Sequence, residues 1–333
     1  TLPNVTHSIN NSPTNIYGAT LWGLYYAYLD SNDPDMLTAM TDAADAMVAN
    51  AAVKSAPDIE FLCNFQNIAG VTPDIYKNAA KSKYDGRITQ YGSATAFAEY
   101  IRDVRAGQGY ENGIIAWDIG KYVRAAMKLY VEFGSSYNQD AADMAEVLFQ
   151  DSYMQNPGYF DMTSNKNNGW DPEYNNADYY WYTLGIAGLF DAFNQTQTHT
   201  DKIASLTTTL LECQYESGAF SYCYGANTDD EGWQSTAYAV FYLADLDQAT
   251  YQENINHAAY WLAATQDACG GWVYSSSGDH YPEIGGESTG ALHFGENASE
   301  VFVDATFTPE SCDGHLFGYD AFDNIADAVA GVA

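Results

Sequence analysis

The residues best suited to chemistry in this chain are carboxylates set at repeat-like intervals. Asp118, Asp178 and Glu231 follow one another at offsets of 60 and 53, and Glu287 comes about one helical turn further along the next interval. At equivalent points of successive structural units, such carboxylates converge on one opening. Two of them, standing about 5–10 Å apart on either side of a bond, can serve as the acid and base of glycosidic cleavage. Trp117, Tyr179, Tyr180, Trp181 and Trp233 neighbour them in sequence and offer flat apolar faces on which sugar rings stack. The same carboxylates have an ordinary structural use, because Asp and Glu are favoured at helix N-termini for capping and dipole reasons.

Other side chains suggest other uses. The stretch from Asp171 to Asp178 and the group Asp279, His280 and Glu283 mix the hard oxygen donors that calcium accepts, without EF-hand spacing. Calcium is therefore the candidate cofactor. The five cysteines show no zinc or redox spacing. Cys213 and Cys223 flank a turn-rich stretch and are either a disulfide across a hairpin or buried free thiols. Asn4, Asn10, Asn194 and Asn297 head Asn-x-Ser/Thr sequons, the acceptor pattern of N-glycosylation.

Charge narrows the partners. Twelve Lys and Arg against 44 Asp and Glu give a formal net charge of −32, which excludes nucleic acid and anionic membrane surfaces and disfavours polyanionic glycans. A neutral glycan suits such a surface better. With 47% hydrophobic and 15% aromatic residues over 333 positions, the chain can bury a large core. Its apolar runs fall short of the roughly 18 residues of a membrane span. The opening Thr1-Leu2-Pro3 reads as the start of a processed chain, so an extracellular or cell-surface location is expected. The acid excess fits a salt-adapted, archaeal-like source.

The elements that must position these residues follow from internal repeats. Gly232-Trp233-Gln234-Ser235-Thr236 recurs 53 residues on as Gly285-Gly286-Glu287-Ser288-Thr289. Gln214, Gly218 and Phe220 recur 52 residues on as Gln266, Gly270 and Trp272. Repeats of this length are stacked supersecondary units. The run 236–246 is apolar nearly all round, and 251–265 is apolar on one side, which gives an inner helix followed by an outer one. The same rhythm runs through 16–50, 60–105, 114–149, 178–213, 231–266 and 285 to the end, with loops near 164–176, 275–281 and 297–314. Six pairs close a ring: an all-α, single-domain α/α toroid of about twelve helices over residues 16–333, preceded by an extended arm at 1–15.

These Gln-x-x-x-Gly-x-Trp/Phe units, each followed by a Ser-Thr helix, resemble the repeats of the terpenoid-cyclase and protein-prenyltransferase toroid superfamily, with the match concentrated in residues 178–292. The resemblance implies the ring fold. It also raises terpene cyclisation, which in that family uses an Asp-x-Asp-Asp acid. Here Asn227-Thr228-Asp229-Asp230 has Asn at the first acidic position, and the Cys/His/Asp zinc set of prenyl transfer is missing.

The sequence favours a non-catalytic extracellular protein that assembles with copies of itself into a sheath, lattice or filament. The alternative is a secreted glycoside hydrolase acting on a neutral glycan, with two of Asp118, Asp178, Glu231 and Glu287 as its pair. A terpene-cyclase-like enzyme ranks third.

Overall fold

The computed structural model describes residues 16–51, 53–68, 71, 74–107, 112–134, 136–150, 159–161, 179–221, 223–224, 231–267, 270–272, 281–296, 302–303 and 321–322. Among them are eleven α-helices: α1 (Ile16–Ser31), α2 (Pro34–Ala49), α3 (Ala56–Gln66), α4 (Ile75–Tyr91), α5 (Ala94–Gly107), α6 (Asn112–Phe133), α7 (Tyr137–Gln150), α8 (Thr183–Thr196), α9 (Ile203–Glu212), α10 (Trp233–Ala264) and α11 (Pro282–Leu292). Strands β1 (Tyr159–Asp161), β2 (Tyr179–Tyr182) and β3 (Cys223–Tyr224) form a small antiparallel sheet. Strands β4 (Phe302–Val303) and β5 (Ala321–Phe322) pair in parallel.

Six helices run the same way round a common centre. At the α1–α11 seam, Gly23 backs onto Gly286, Tyr26 onto His293, and His293 Nδ1 lies 2.8 Å from Asp30 Oδ1, so residue numbers rise together. The pattern repeats where Gly120 and Lys121 of α6 meet Gly188 and Asp191 of α8. It repeats again where Glu60 and Asn67 meet Arg124 and Glu132. On α10, Gln234 faces Glu287 and Gln248 faces Phe294. Gly18 N–H donates to Asp58 Oδ1 at 2.9 Å, and Phe190 of α8 packs on Tyr242 of α10 with centroids 3.8 Å apart. The inner ring is therefore α1, α3, α6, α8, the first half of α10 and α11, and it closes because α11 packs on α1. The expected α/α toroid is what forms.

Glycine makes the ring tight. A Cβ at Gly120 would stand 2.1 Å from the Gly188 carbonyl oxygen, and one at Gly286 would stand 2.3 Å from that of Ala19. Neighbouring inner helices thus touch backbone to backbone, a fit that only residues without a side chain allow.

The outer layer is α2, α4, α7, α9 and the second half of α10. Non-helical dihedrals at Asp247 and Tyr251 break α10. Trp233 Nε1 at its start donates to Thr265 Oγ1 just past its end at 3.1 Å, so the two halves lie antiparallel. The repeated motif now has a mechanism. Gln214 Nε2 donates to Gly218 O at 3.1 Å and Gln266 Nε2 to Gly270 O at 2.8 Å. Each glycine has positive φ, +95° and +80°, the left-handed conformation that closes the turn. The aromatic two positions on, Phe220 or Trp272, is then fully buried between helix ends.

Several expectations are corrected. The 60–105 unit contains three helices, α3, α4 and α5, because Gly92 stops α4 with φ +92° and Ser93 Oγ accepts the Ala96 N–H at 3.1 Å, starting another helix. Cys213 is a free, buried thiol, so the bridge to Cys223 is not formed. Its Sγ turns back on the Thr209 carbonyl at 3.2 Å, and burial pushes the thiol pKa up to about 12. Residues 1–15, Asn4, Asn10 and Asn297 lie outside the described residues, as does any outer partner of α11. Asn194 sits half-buried in the last turn of α8. Among the described residues no helix is long and apolar enough to cross a membrane.

Candidate active site

The two ends of the ring are built differently. Two residues separate α1 from α2, and three separate α6 from α7. By contrast, the N-terminal ends of α8, α10 and α11 are reached through residues 151–182, 213–232 and 265–281. Long connections commonly carry binding and catalytic groups on a rigid scaffold, which makes the N-terminal mouth the candidate functional end.

Beneath that mouth, Glu287 lies at the ring centre, fully buried. Tyr238 O–H donates to its Oε1 at 2.6 Å and Gln234 Nε2 to its Oε2 at 2.9 Å. Glu283, one turn earlier on α11, is also buried. Burial first, and then the neighbouring Glu283 charge, hold the Glu287 carboxyl well above the usual carboxylate range, against the opposing effects of its two hydrogen bonds and of Lys121. A carboxyl whose ionised form is disfavoured in this way holds a proton that it can give to a leaving group.

Aromatic rings wall this layer. Tyr238 makes edge contacts with Trp117 and Trp22, at centroid distances of 5.5 and 6.5 Å. Lys121 Nζ stands 4.6 Å from the centre of the Tyr238 ring. Trp117 Nε1 is buried without a hydrogen-bond partner among the described residues.

About one turn deeper is an ionic layer. Arg124 of α6 contacts Glu60 of α3 at 2.7 Å, Asp191 of α8 at 3.3 Å and Asp245 of α10. Lys121 Nζ pairs with Asp191 Oδ2 at 2.6 Å. Burial raises the Glu60 and Asp245 carboxyls, but Arg124 and the nearby lysines outweigh it and hold both below the ordinary range. This layer ties four inner helices together and keeps Glu60 and Asp245 ionised.

The expected site residues divide accordingly. Glu287 and Trp117 reach the centre. Asp118, half-buried, follows Trp117 on α6, the inner helix opposite α11 in ring order. Glu283, expected with Asp279 and His280 as a calcium ligand, instead sits one turn from Glu287; the other two lie outside the described residues. No group of three or more His, Cys, Asp and Glu suited to a metal ion occurs among the described residues.

Glu231 is exposed and braces the outer wall, accepting Ser217 Oγ at 2.5 Å and Trp261 Nε1 at 3.2 Å. Trp233 stacks on Trp261 at 6.3 Å in the same place. Tyr179, Tyr180 and Trp181 belong to β2, where Trp181 pairs with Tyr159 and Tyr224 immediately before α8. Asp178 and the Asn227–Asp230 stretch lie outside the described residues.

Tyr238, Gln234, Lys121 and Arg124 were not anticipated. Gln234 had a signal: it is the repeat equivalent of Glu287 in the Gly-x-[Gln/Glu]-Ser-Thr motif. Lys121 and Arg124, three residues apart on an apolar helix in a chain with twelve cations, had one too.

No protein-family model and no curated protein matches the chain. Solved structures share its shape. A possible member of glycoside hydrolase family 105 from Salmonella enterica serovar Paratyphi A superposes with a TM-score of 0.59 at 12% identity, covering 84% of this chain and 82% of that one. A C. acetobutylicum glycoside hydrolase from family 105 gives 0.59 at 12% identity, over 87% and 95% of the two chains. A glycosyl hydrolase of family 88 from Bacteroides vulgatus gives 0.55 at 11% identity, over the same 87% and 95%. The likeness to terpenoid-cyclase toroids holds at the level of the α/α ring. The expectation of a non-catalytic, self-assembling subunit is corrected by these neighbours, because the rings of matching shape are described as glycoside hydrolases.

Proposed function

We propose that this protein is a glycoside hydrolase acting on a neutral glycan, with Glu287 as the proton donor and Asp118, on the opposite inner helix, as the base. The observation that carries this reading is the Glu287 carboxyl, buried at the ring centre and held above the usual carboxylate range beside a wall of aromatic rings. In the reaction Glu287 gives its proton to the glycosidic oxygen as the bond to the anomeric carbon breaks. Asp118 takes a proton from the water that attacks that carbon, so each carboxyl changes charge once and in opposite senses. Trp117 supplies a stacking face and an indole N–H for a sugar oxygen. The net charge of −32 favours uncharged sugars, and a glycan substrate agrees with an extracellular or cell-surface setting.

The test is a panel of 4-nitrophenyl glycosides of neutral sugars, and neutral oligosaccharides, with the wild type, Glu287→Gln and Asp118→Asn. The reading expects hydrolysis by the wild type and a loss of about a thousandfold or more in either variant with the fold intact. Retained activity in Glu287→Gln overturns it.

A further inference from the structure

We propose that Lys121 is a positioning residue for Glu287, fixing the phenol that grips the carboxyl and setting the charge environment in which the carboxyl titrates. This rests on the reading of Glu287 as proton donor. Lys121 is almost fully buried, and its ammonium group has one ionic partner among the described residues, Asp191 Oδ2 at 2.6 Å. The cation lies 4.6 Å from the centre of the Tyr238 ring and 5.8 Å from that of Trp22. A desolvated cation over an aromatic face holds that ring in place. Tyr238 in turn donates to Glu287 Oε1 at 2.6 Å. The result is a rigid line across the ring from Asp191 on α8, through Lys121 on α6 and Tyr238 on α10, to Glu287 on α11.

The charged and titratable groups facing Glu287 among the described residues are Glu283 on its own helix, Tyr238 on α10 and Lys121 on α6, with Asp191 on α8 behind the lysine. The α1 face presents Trp22 and Gly23, which carry no charge. Lys121 and Glu283 therefore act on Glu287 with opposite signs. Each proton that Glu287 gives up leaves a carboxylate, and Lys121 is a positive charge that acts on it among the described residues.

The readout is the protonated-carboxyl infrared band that the wild type shows and Glu287→Gln lacks, followed against pH without substrate. Removing the cation in Lys121→Met makes ionisation harder, so the midpoint rises by about one pH unit. Lys121→Arg keeps it within a few tenths of a unit. Glu283→Gln lowers it. Because Lys121→Met leaves Asp191 buried without its lysine partner, the double variant Lys121→Met/Asp191→Asn provides a second measurement, with a smaller rise expected. On a hydrolysed glycoside, Lys121→Met lowers kcat about tenfold or more and moves the alkaline limb of the pH profile upward by the same unit. An unchanged midpoint in Lys121→Met and in Lys121→Met/Asp191→Asn overturns the proposal and leaves the assignment of Glu287 standing. Full hydrolysis by Glu287→Gln overturns that assignment instead.

Discussion

The hydroxyl of Tyr238 donates to Glu287 Oε1 across 2.6 Å, and this bond joins the last inner helix of the ring to the one before it at its centre. Two helices that diverge 53 residues apart in the repeat thereby place a phenol, a carboxamide and a carboxyl in one cluster. Tyr238→Phe keeps the ring under Lys121 and removes only the donor. It is expected to lower kcat by about ten- to a hundredfold with little change in KM, since the lost bond strengthens as Glu287 gains charge in the transition state. Steady-state kinetics on any hydrolysed glycoside measure this, and a change confined to KM would contradict it.

The glycine contacts make opposite predictions at two helical positions. At Gly120 an added methyl group meets the Gly188 carbonyl at 2.1 Å, whereas at Gly86 nothing lies within 4 Å. Gly120→Ala is expected to destabilise the fold by about 3 kcal/mol or more, by forcing α6 and α8 apart. Gly86→Ala is expected to stabilise it by about 0.5–1 kcal/mol through helix propensity. Urea denaturation of the two variants side by side decides the matter.

Among the described residues, Arg124 is the one group that contacts carboxylates from α3, α8 and α10 in the ionic layer. Arg124→Met leaves Glu60 and Asp191 buried with less positive charge to compensate them. A cost of about 3–5 kcal/mol follows, measurable as a lower denaturation midpoint that shrinks at acidic pH, where the freed carboxyls take up protons.

Asp58 ties α3 to α1 by accepting the Gly18 N–H at 2.9 Å, and it closes a capping box with Ser55. Burial pushes its pKa up to about 6 from 3.8, against the effect of those hydrogen bonds. A carboxyl with a raised folded-state pKa holds its proton more tightly in the fold than when unfolded. Its contribution to stability is therefore full below about pH 4, falls as the pH rises and levels off above about pH 6. The loss amounts to about 2–3 kcal/mol. Denaturant titrations from pH 4 to pH 7 should show this slope in the wild type and a flattened one in Asp58→Asn.

Much of the ring was legible in the sequence because its repeat is enforced by local chemistry. Gln214 and Gln266 must reach the carbonyls of Gly218 and Gly270, and those glycines must take positive φ, so residue type and spacing survive together. Where the chain departs from the pattern, as in the extra helix α5, the break rests on Gly92 and Ser93, which read equally well as a loop. The site was legible only in part. Glu287 stood out through the motif, but its partners come from helices far apart in sequence, and ring order is what brings Lys121 and Tyr238 to it. Glu231 misled because an acid before a helix looks the same whether it faces the centre or, as here, braces Ser217 and Trp261 on the outer wall. The choice between a disulfide and a buried free thiol at Cys213 stayed open in the sequence, since a turn between two cysteines says nothing about which way a thiol points.

The most direct measurement of the central claim is hydrolysis of the neutral 4-nitrophenyl glycoside panel by the wild type and Glu287→Gln, with circular dichroism of both. The account predicts nitrophenol release by the wild type from at least one member, and a loss of about a thousandfold or more in the variant at unchanged helicity. Equal rates in the two proteins, or no release by the wild type from any member or from neutral oligosaccharides, would contradict it.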